Sequence, residues 1–114
     1  MNNEEYEEQK CVVKYLELKN IKFTAIPNST YTTSWAQKAK NKASGLRAGL
    51  PDLLVIINKR LVFIEMKRNK GGKASPEQMD WLIKLSECEN VFTYVCEGFE
   101  KAKKVIDFHL KLNI

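Results

Sequence analysis

The sequence predicts an α/β fold, a mixed sheet of about four strands flanked by helices in the order α-β-α-β-β-α-β-α. Three observations predict it. Helical periodicity opens and closes the chain, two apolar runs joined by a short polar turn occupy its centre, and a strongly marked helix start follows them. With 114 residues the chain has the length of one domain, 1–114, and not of two.

The elements follow in order. Gln9, Val12, Val13 and Leu16 recur at three- and four-residue steps and predict a helix from residue 4 to about 19. Asn20 ends it, and residues 21–26 alternate like a half-buried strand stopped by Pro27. Residues 28–34 read as a polar loop. Ser34 can cap a short helix from Trp35 to about Ala43, and Gly45 and Gly49 bracket a turn-rich connector. Leu53 to Ile57 and Leu61 to Ile64, around Asn58-Lys59-Arg60, form a hairpin whose first strand should be buried on both faces. Ser75-Pro76-Glu77-Gln78 joins a Ser cap, a Pro at the first helical position and a Gln three residues beyond the cap. The helix it opens should carry Met79, Leu82, Ile83 and Leu85 inward and end near Cys88. Residues 91–96 read as a strand broken by Gly98, and Phe99, Ala102, Val105, Ile106 and His109 line one face of a last helix.

Composition narrows the function classes. Lys and Arg number 19 against 14 Asp and Glu, and from residue 11 onward the count is 18 against 10, a surplus of eight that suits a polyanion partner. No apolar run approaches the roughly 20 residues of a membrane span, and the first residues are acidic rather than a basic signal region. Cys11, Cys88 and Cys96 are odd in number and scattered, so they read as reduced, buried thiols of a cytoplasmic protein. A single histidine, His109, excludes chemistry that needs two, such as His-rich zinc hydrolases and ββα-metal nucleases. His109 itself reads as a packed helix residue. A P-loop and a dinucleotide fingerprint are absent.

The hairpin concentrates the chemistry. Asp52 opens its first strand, and Glu65 and Lys67, two residues apart, share one face where its second strand ends. A two-residue turn at Asn58-Lys59, or a four-residue turn from Ile57 to Arg60, sets Asp52 opposite Glu65. A plain three-residue turn sets it opposite Met66 instead. Two carboxylates on one face can hold a hard divalent cation such as Mg²⁺, which takes one or two carboxylates plus phosphate oxygens and water. A lysine beside them can touch phosphate or the attacking water, so the set has the parts phosphodiester hydrolysis needs.

Gly49-Leu50-Pro51-Asp52 followed by Glu65-Met66-Lys67 resembles the PD-(D/E)xK nuclease superfamily, and within it the VRR-NUC family of virus-type replication-repair nucleases. The resemblance covers nearly the whole chain. Glu5 and Gln9 match that family's first helix, Pro27-Asn28 the turn after its first strand, Gly45-Leu46-Arg47-Ala48-Gly49 its approach to Pro-Asp, and Gln78 the start of its next helix. Leu50 stands where valine is usual, and Ser29 where glycine is common. The resemblance implies a restriction-endonuclease-like core and a DNA endonuclease dependent on Mg²⁺ or Mn²⁺. Glu5, Asp52 and Glu65 would lie near the metal, with Lys67 at the attacking water.

Each residue also has a plainer reading. Glu4, Glu7 and Glu8 compete with Glu5, although helical spacing sets Glu5 on the face of Gln9, Val12 and Leu16. Gln9 either orients Glu5 or borders the core. Gln78 is explained by the capping box or serves as a catalytic-site residue, and Asn28 is a turn residue or a nucleic-acid contact. Lys38, Lys40, Lys42, Arg47, Arg68, Lys70 and Lys73 form a solvated charged surface or contact phosphates. Tyr31 and Trp35 can stack on bases, whereas Trp81 reads as core. The expected activity is structure-selective cutting of branched DNA, such as four-way junctions, by a homodimer of phage or mobile-element origin. The alternative is an inactive nuclease fold that only binds nucleic acid.

Overall fold

Local signals and long-range pairing agree on one sheet. In a computed structural model describing residues 3–27 and 32–112, the strands β1 (Lys22–Ala25), β2 (Leu53–Ile57), β3 (Arg60–Lys67) and β4 (Val91–Glu97) are ordered β1-β2-β3-β4. The first two pairings are antiparallel and β3 with β4 is parallel. A parallel pair needs a crossover, which is supplied here by helix α3 (Pro76–Ser86). Helices α1 (Asn3–Leu18), α2 (Trp35–Ala43) and α4 (Phe99–Lys111) complete the predicted order. Asn28 and Tyr31 lie outside the described residues.

The β2–β3 turn is the shortest available. Asn58 and Lys59 have φ of 50° and 65°, the pair of left-handed residues that a two-residue hairpin turn requires. It sets Ile57 against Arg60 and Leu53 against Ile64, so that Asp52 falls opposite Glu65 one step further on.

Alternation then divides the side chains between two layers. Leu53, Val55, Ile57, Val62, Ile64 and Met66 join Val12 and Leu16 of α1 and Ala102 and Ile106 of α4 in one core. The opposite face of β3 carries Phe63, Glu65 and Lys67, and α3 lies on that side, with Thr93 Oγ1 donating to Leu82 O at 3.0 Å. His109 is fully buried, as its place on α4 predicts. Its Nδ1 accepts from Arg60 Nε at 3.1 Å and its Nε2 meets Tyr94 Oη at 2.6 Å. Arg60 Nη2 also donates to His109 O at 2.8 Å, which places a cation at the C-terminal end of α4. Burial and this guanidinium hold the imidazole below its ordinary pKa.

Three expectations need correction. The strand buried on both faces is β3, from Val62 to Met66, whereas β2 leaves Ile56 exposed because no helix covers that side of it. On α3 only Leu82 is fully buried. Met79 and Ile83 are 40% and 52% exposed, since the helix rests on β4 along one narrow edge. Of the cysteines only Cys96 is buried, its thiol pushed up to about 12 by desolvation, while Cys11 is exposed on α1 and Cys88 is exposed in the turn after α3.

Candidate active site

The site assembles where β2 begins and β3 ends. Asp52 follows Pro51 at the mouth of β2, and its Oδ2 accepts from Met66 N at 2.8 Å, which pins the carboxyl to the neighbouring strand. Glu65 is 2% exposed, with Lys67 Nζ 3.3 Å from its Oε2. Cross-strand register sets the two carboxyl groups opposite each other on one face, close enough for each charge to act on the other. Desolvation, then the Asp52 charge, pushes Glu65 up to about 7, and desolvation also raises Asp52. Both acids are thus harder to ionise than free carboxylates, the behaviour of two acids crowded into one dry pocket.

Gln78 makes the capping contact and also reaches Glu65. Its amide has two ends: Oε1 accepts from Ser75 N at 2.8 Å in the capping box, and Nε2 donates to Glu65 Oε2 at 2.9 Å. The helix cap thus fixes the rotamer that holds the carboxylate. Glu65 Oε2 is held from two sides, by Gln78 and Lys67, while the buried Oε1 has no neutral or cationic donor within hydrogen-bonding distance.

The glutamates of α1 part company. Glu4 Oε2 accepts from Asn69 N at 2.9 Å, beyond the end of β3, and Glu8 Oε1 accepts from Phe99 N at 3.0 Å in the first turn of α4. Gly98, at φ 89°, makes the second contact possible, since a Cβ there would lie 2.9 Å from that Glu8 oxygen. Glu8 is therefore committed to a helix N-terminus, and Glu5 is the α1 carboxylate whose charge reaches Asp52 and raises it. Among the described residues no three carboxylate, imidazole or thiol groups stand within reach of one ion. The expected convergence of three acids is a pair in this structure, because Asp52 and Glu65 close on each other while Glu5 approaches from a separate helix. Gln9 Oε1 is buried and without a hydrogen-bond partner among the described residues.

Sequence reasoning did not find the clamp behind the site. Gly49, at φ 106°, presses on α3 so closely that a Cβ would lie 2.8 Å from the Glu77 carbonyl, and Trp81 Nε1 donates to Ala48 O at 3.0 Å. Trp81 is thus half-buried and anchors the connector that delivers Asp52; the glycine of Gly49-Leu50-Pro51-Asp52 was its available signal. The basic residues flank the site on two sides in sequence. Lys38, Lys40, Lys42 and Arg47 lie exposed on α2 and the connector, and Arg68, Lys70 and Lys73 lie exposed in the loop after β3. That loop folds back on Lys67, whose Cβ lies 2.8 Å from where a Gly72 Cβ would stand.

Comparisons with known proteins bear on the family and the fold. A family model of the VRR-NUC domain matches residues 2–100. A solved VRR-NUC domain protein is 25% identical, with 99% of this chain and 93% of that one covered and a TM-score of 0.79. A second structure, a VRR-NUC domain, is 21% identical, with 93% of this chain and 97% of that one covered and a TM-score of 0.68, a likeness of fold. No curated protein matches significantly. Residues 2–100 carry the family's pattern from the first helix into the last, and the chain belongs to the VRR-NUC family of nucleases.

Proposed function

We propose that the protein is a divalent-metal-dependent DNA endonuclease that hydrolyses phosphodiester bonds at branched DNA. The observation that carries this reading is the buried Asp52–Glu65 pair at one sheet end, in which the buried oxygen Glu65 Oε1 has no hydrogen-bond partner among the described residues. Two carboxyl groups at this separation are costly to ionise in a dry pocket, and a dication is the partner that offsets that cost. The donor set is all oxygen, which suits Mg²⁺ or Mn²⁺, with Asp52 and Glu65 as ligands and the Glu5 charge at the rim. When bound, such an ion polarises a phosphate oxygen and makes water a stronger nucleophile.

The chain's own residues position the remaining parts. Gln78 and Lys67 hold Glu65 Oε2 between them, so the carboxylate enters the reaction already oriented. Lys67 Nζ uses one direction for Glu65 and has donors left for the attacking water or a phosphate oxygen as negative charge develops. Lys38, Lys40, Lys42, Arg47, Arg68, Lys70, Lys73 and Asn28 supply backbone contacts that carry no sequence information, which suits recognition by shape. Cutting both strands at a junction needs two copies, and the exposed Met79, Ile83 and Val95 around a hollow of about 140 Å³ offer apolar surface for a homodimer. A cytoplasmic phage or mobile-element setting fits that substrate.

The test is a panel of four-way, flap and linear duplex DNA incubated with protein and Mg²⁺ or chelator, alongside Glu65→Ala. Junction cutting that chelator and the substitution both abolish supports the reading. Cutting indifferent to both sinks the site assignment, and binding without any cleavage establishes the inert module instead.

A further inference from the structure

Helix α2 is an anomaly of folding energetics. None of its nine residues is buried, and an isolated helix under about 12–15 residues is marginal in water. Its Ser34 cap, whose Oγ accepts from Gln37 N at 3.2 Å, and its Lys40 and Lys42 at the C-terminal turn help the helix without giving it a core face. What it displays is specific. Trp35, Lys38, Ala39 and Lys42 follow i, i+3, i+4, i+7 spacing and line one stripe. Trp35 is 82% exposed, more than any other large apolar side chain among the described residues. Lys38 Nζ lies 4.9 Å from its ring centroid, covering one face of the indole.

The charge around this stripe selects the partner. From Leu18 to Pro51 the sequence holds no Asp or Glu, while Lys19, Lys22, Lys38, Lys40, Lys42 and Arg47 fall within it. A groove of about 370 Å³ runs between α2 and the connector, lined by Lys38, Asn41, Lys42, Leu46, Arg47 and Ala48. The same connector leads to Pro51 and Asp52. A second copy of this surface would be repelled by like charge, and a polyanion is attracted. A fully paired duplex hides its base faces, so an exposed indole on a basic helix gains most from nucleotides that are unpaired.

We propose that α2 is the element by which this protein recognises unpaired nucleotides beside the cleavage site, Trp35 stacking on an exposed base while Lys38 and Lys42 hold the adjoining phosphates. The proposal rests on the DNA-directed reading for the identity of the ligand and adds to it a specificity-determining residue.

The test uses the full chain carrying Glu65→Gln, so that DNA is bound and not cut, in buffer with chelator. Fluorescence anisotropy measures the Kd for a 20-base duplex, a fork with unpaired arms and a single strand, with and without Trp35→Ala. Loss of one base–aromatic stack predicts at least about fivefold weaker binding of the fork and the single strand, with the duplex unchanged within about twofold. Trp35→Phe should restore most of the loss. Lys38→Ala with Lys42→Ala should weaken all three DNAs and flatten the salt dependence by about 1.4 to 1.8 in slope. Equal loss on duplex and fork, no loss on either, or no binding of any DNA overturns the proposal. A wild-type protein that never cuts DNA with Mg²⁺ overturns the nuclease reading alone, because the binding comparison uses the non-cutting variant.

Discussion

Replacing Glu65 by Gln should abolish cleavage and yet make the metal-free protein more stable at alkaline pH. Glu65 is pushed from 4.5 up to about 7 by desolvation and by Asp52. A difference of about 2.5 pKa units corresponds to about 3 kcal/mol between the protonated and ionised forms. The folded-state value lies above the unfolded one, so this stability is fully present below pH 4.5 and is lost as pH rises through about 7. Glutamine keeps an acceptor for Gln78 and Lys67 but has no proton to lose. Between pH 5 and pH 8 the wild type should therefore lose up to about 3 kcal/mol relative to the variant, on the order of 10 °C in Tm. His109, whose lowered value gives the opposite slope, is common to both proteins and cancels in the difference. Urea unfolding at pH 5, 6.5 and 8 in chelator measures it. Adding Mg²⁺ at pH 8 should return stability to the wild type and not to Glu65→Gln, by about 2.7 kcal/mol at one hundred times its Kd. Parallel pH profiles for the two proteins would refute the raised Glu65 value and, with it, the physical reason for a cation at this place.

Three further outcomes follow from the geometry. Gln78→Ala should lose the capping-box bond and the hold on Glu65 together, lowering stability by about 1 kcal/mol and cleavage rate by ten- to a hundredfold; thermal melts and kcat on the same preparation separate the two. Gly98→Ala places a Cβ 2.9 Å from both Glu8 Oε1 and Asn69 Oδ1 at a φ of 89°, and should cost about 1–3 kcal/mol in urea unfolding. Asn58 Nδ2 donates to His109 O at 2.9 Å and Leu112 O at 3.1 Å, so Asn58→Gly keeps the turn geometry and loses those bonds to the end of α4. It should destabilise by about 1 kcal/mol, whereas Lys59→Gly should stabilise by a few tenths, both read by chemical denaturation.

The elements whose signals are local were legible in the sequence. Ser34 and Ser75 start their helices where capping chemistry puts them, and the Asn58-Lys59 turn settles the register that pairs Asp52 with Glu65. What depended on distant partners was not. The four glutamates at the start of α1 look alike until Glu4 meets Asn69, 65 residues away, and Glu8 meets Phe99, 91 residues away. Arg60 read as part of a polar turn, yet it is a buried strand residue because the end of α4 supplies its acceptors. The outer faces of β2 and α3 read as buried because apolar sequence reports capacity for burial, and whether a neighbour arrives is decided by packing. Gln78 posed a choice between the cap and a neighbouring strand only while its amide was counted as one hydrogen-bonding group, since its two ends reach Ser75 and Glu65.

The tight turn at Asn58-Lys59 also bears on how this fold can vary among relatives. Surface loops ordinarily absorb insertions at little cost, and length there drifts freely over evolution. This one carries a parity: adding a single residue without a compensating bulge would slide β2 by one position and put Met66 where Glu65 faces Asp52. Descendants of this chain can lengthen the loop by two, or by one with a bulge, but a lone insertion at the tip, far from the chemistry, would silence the enzyme while leaving every proposed ligand in the sequence.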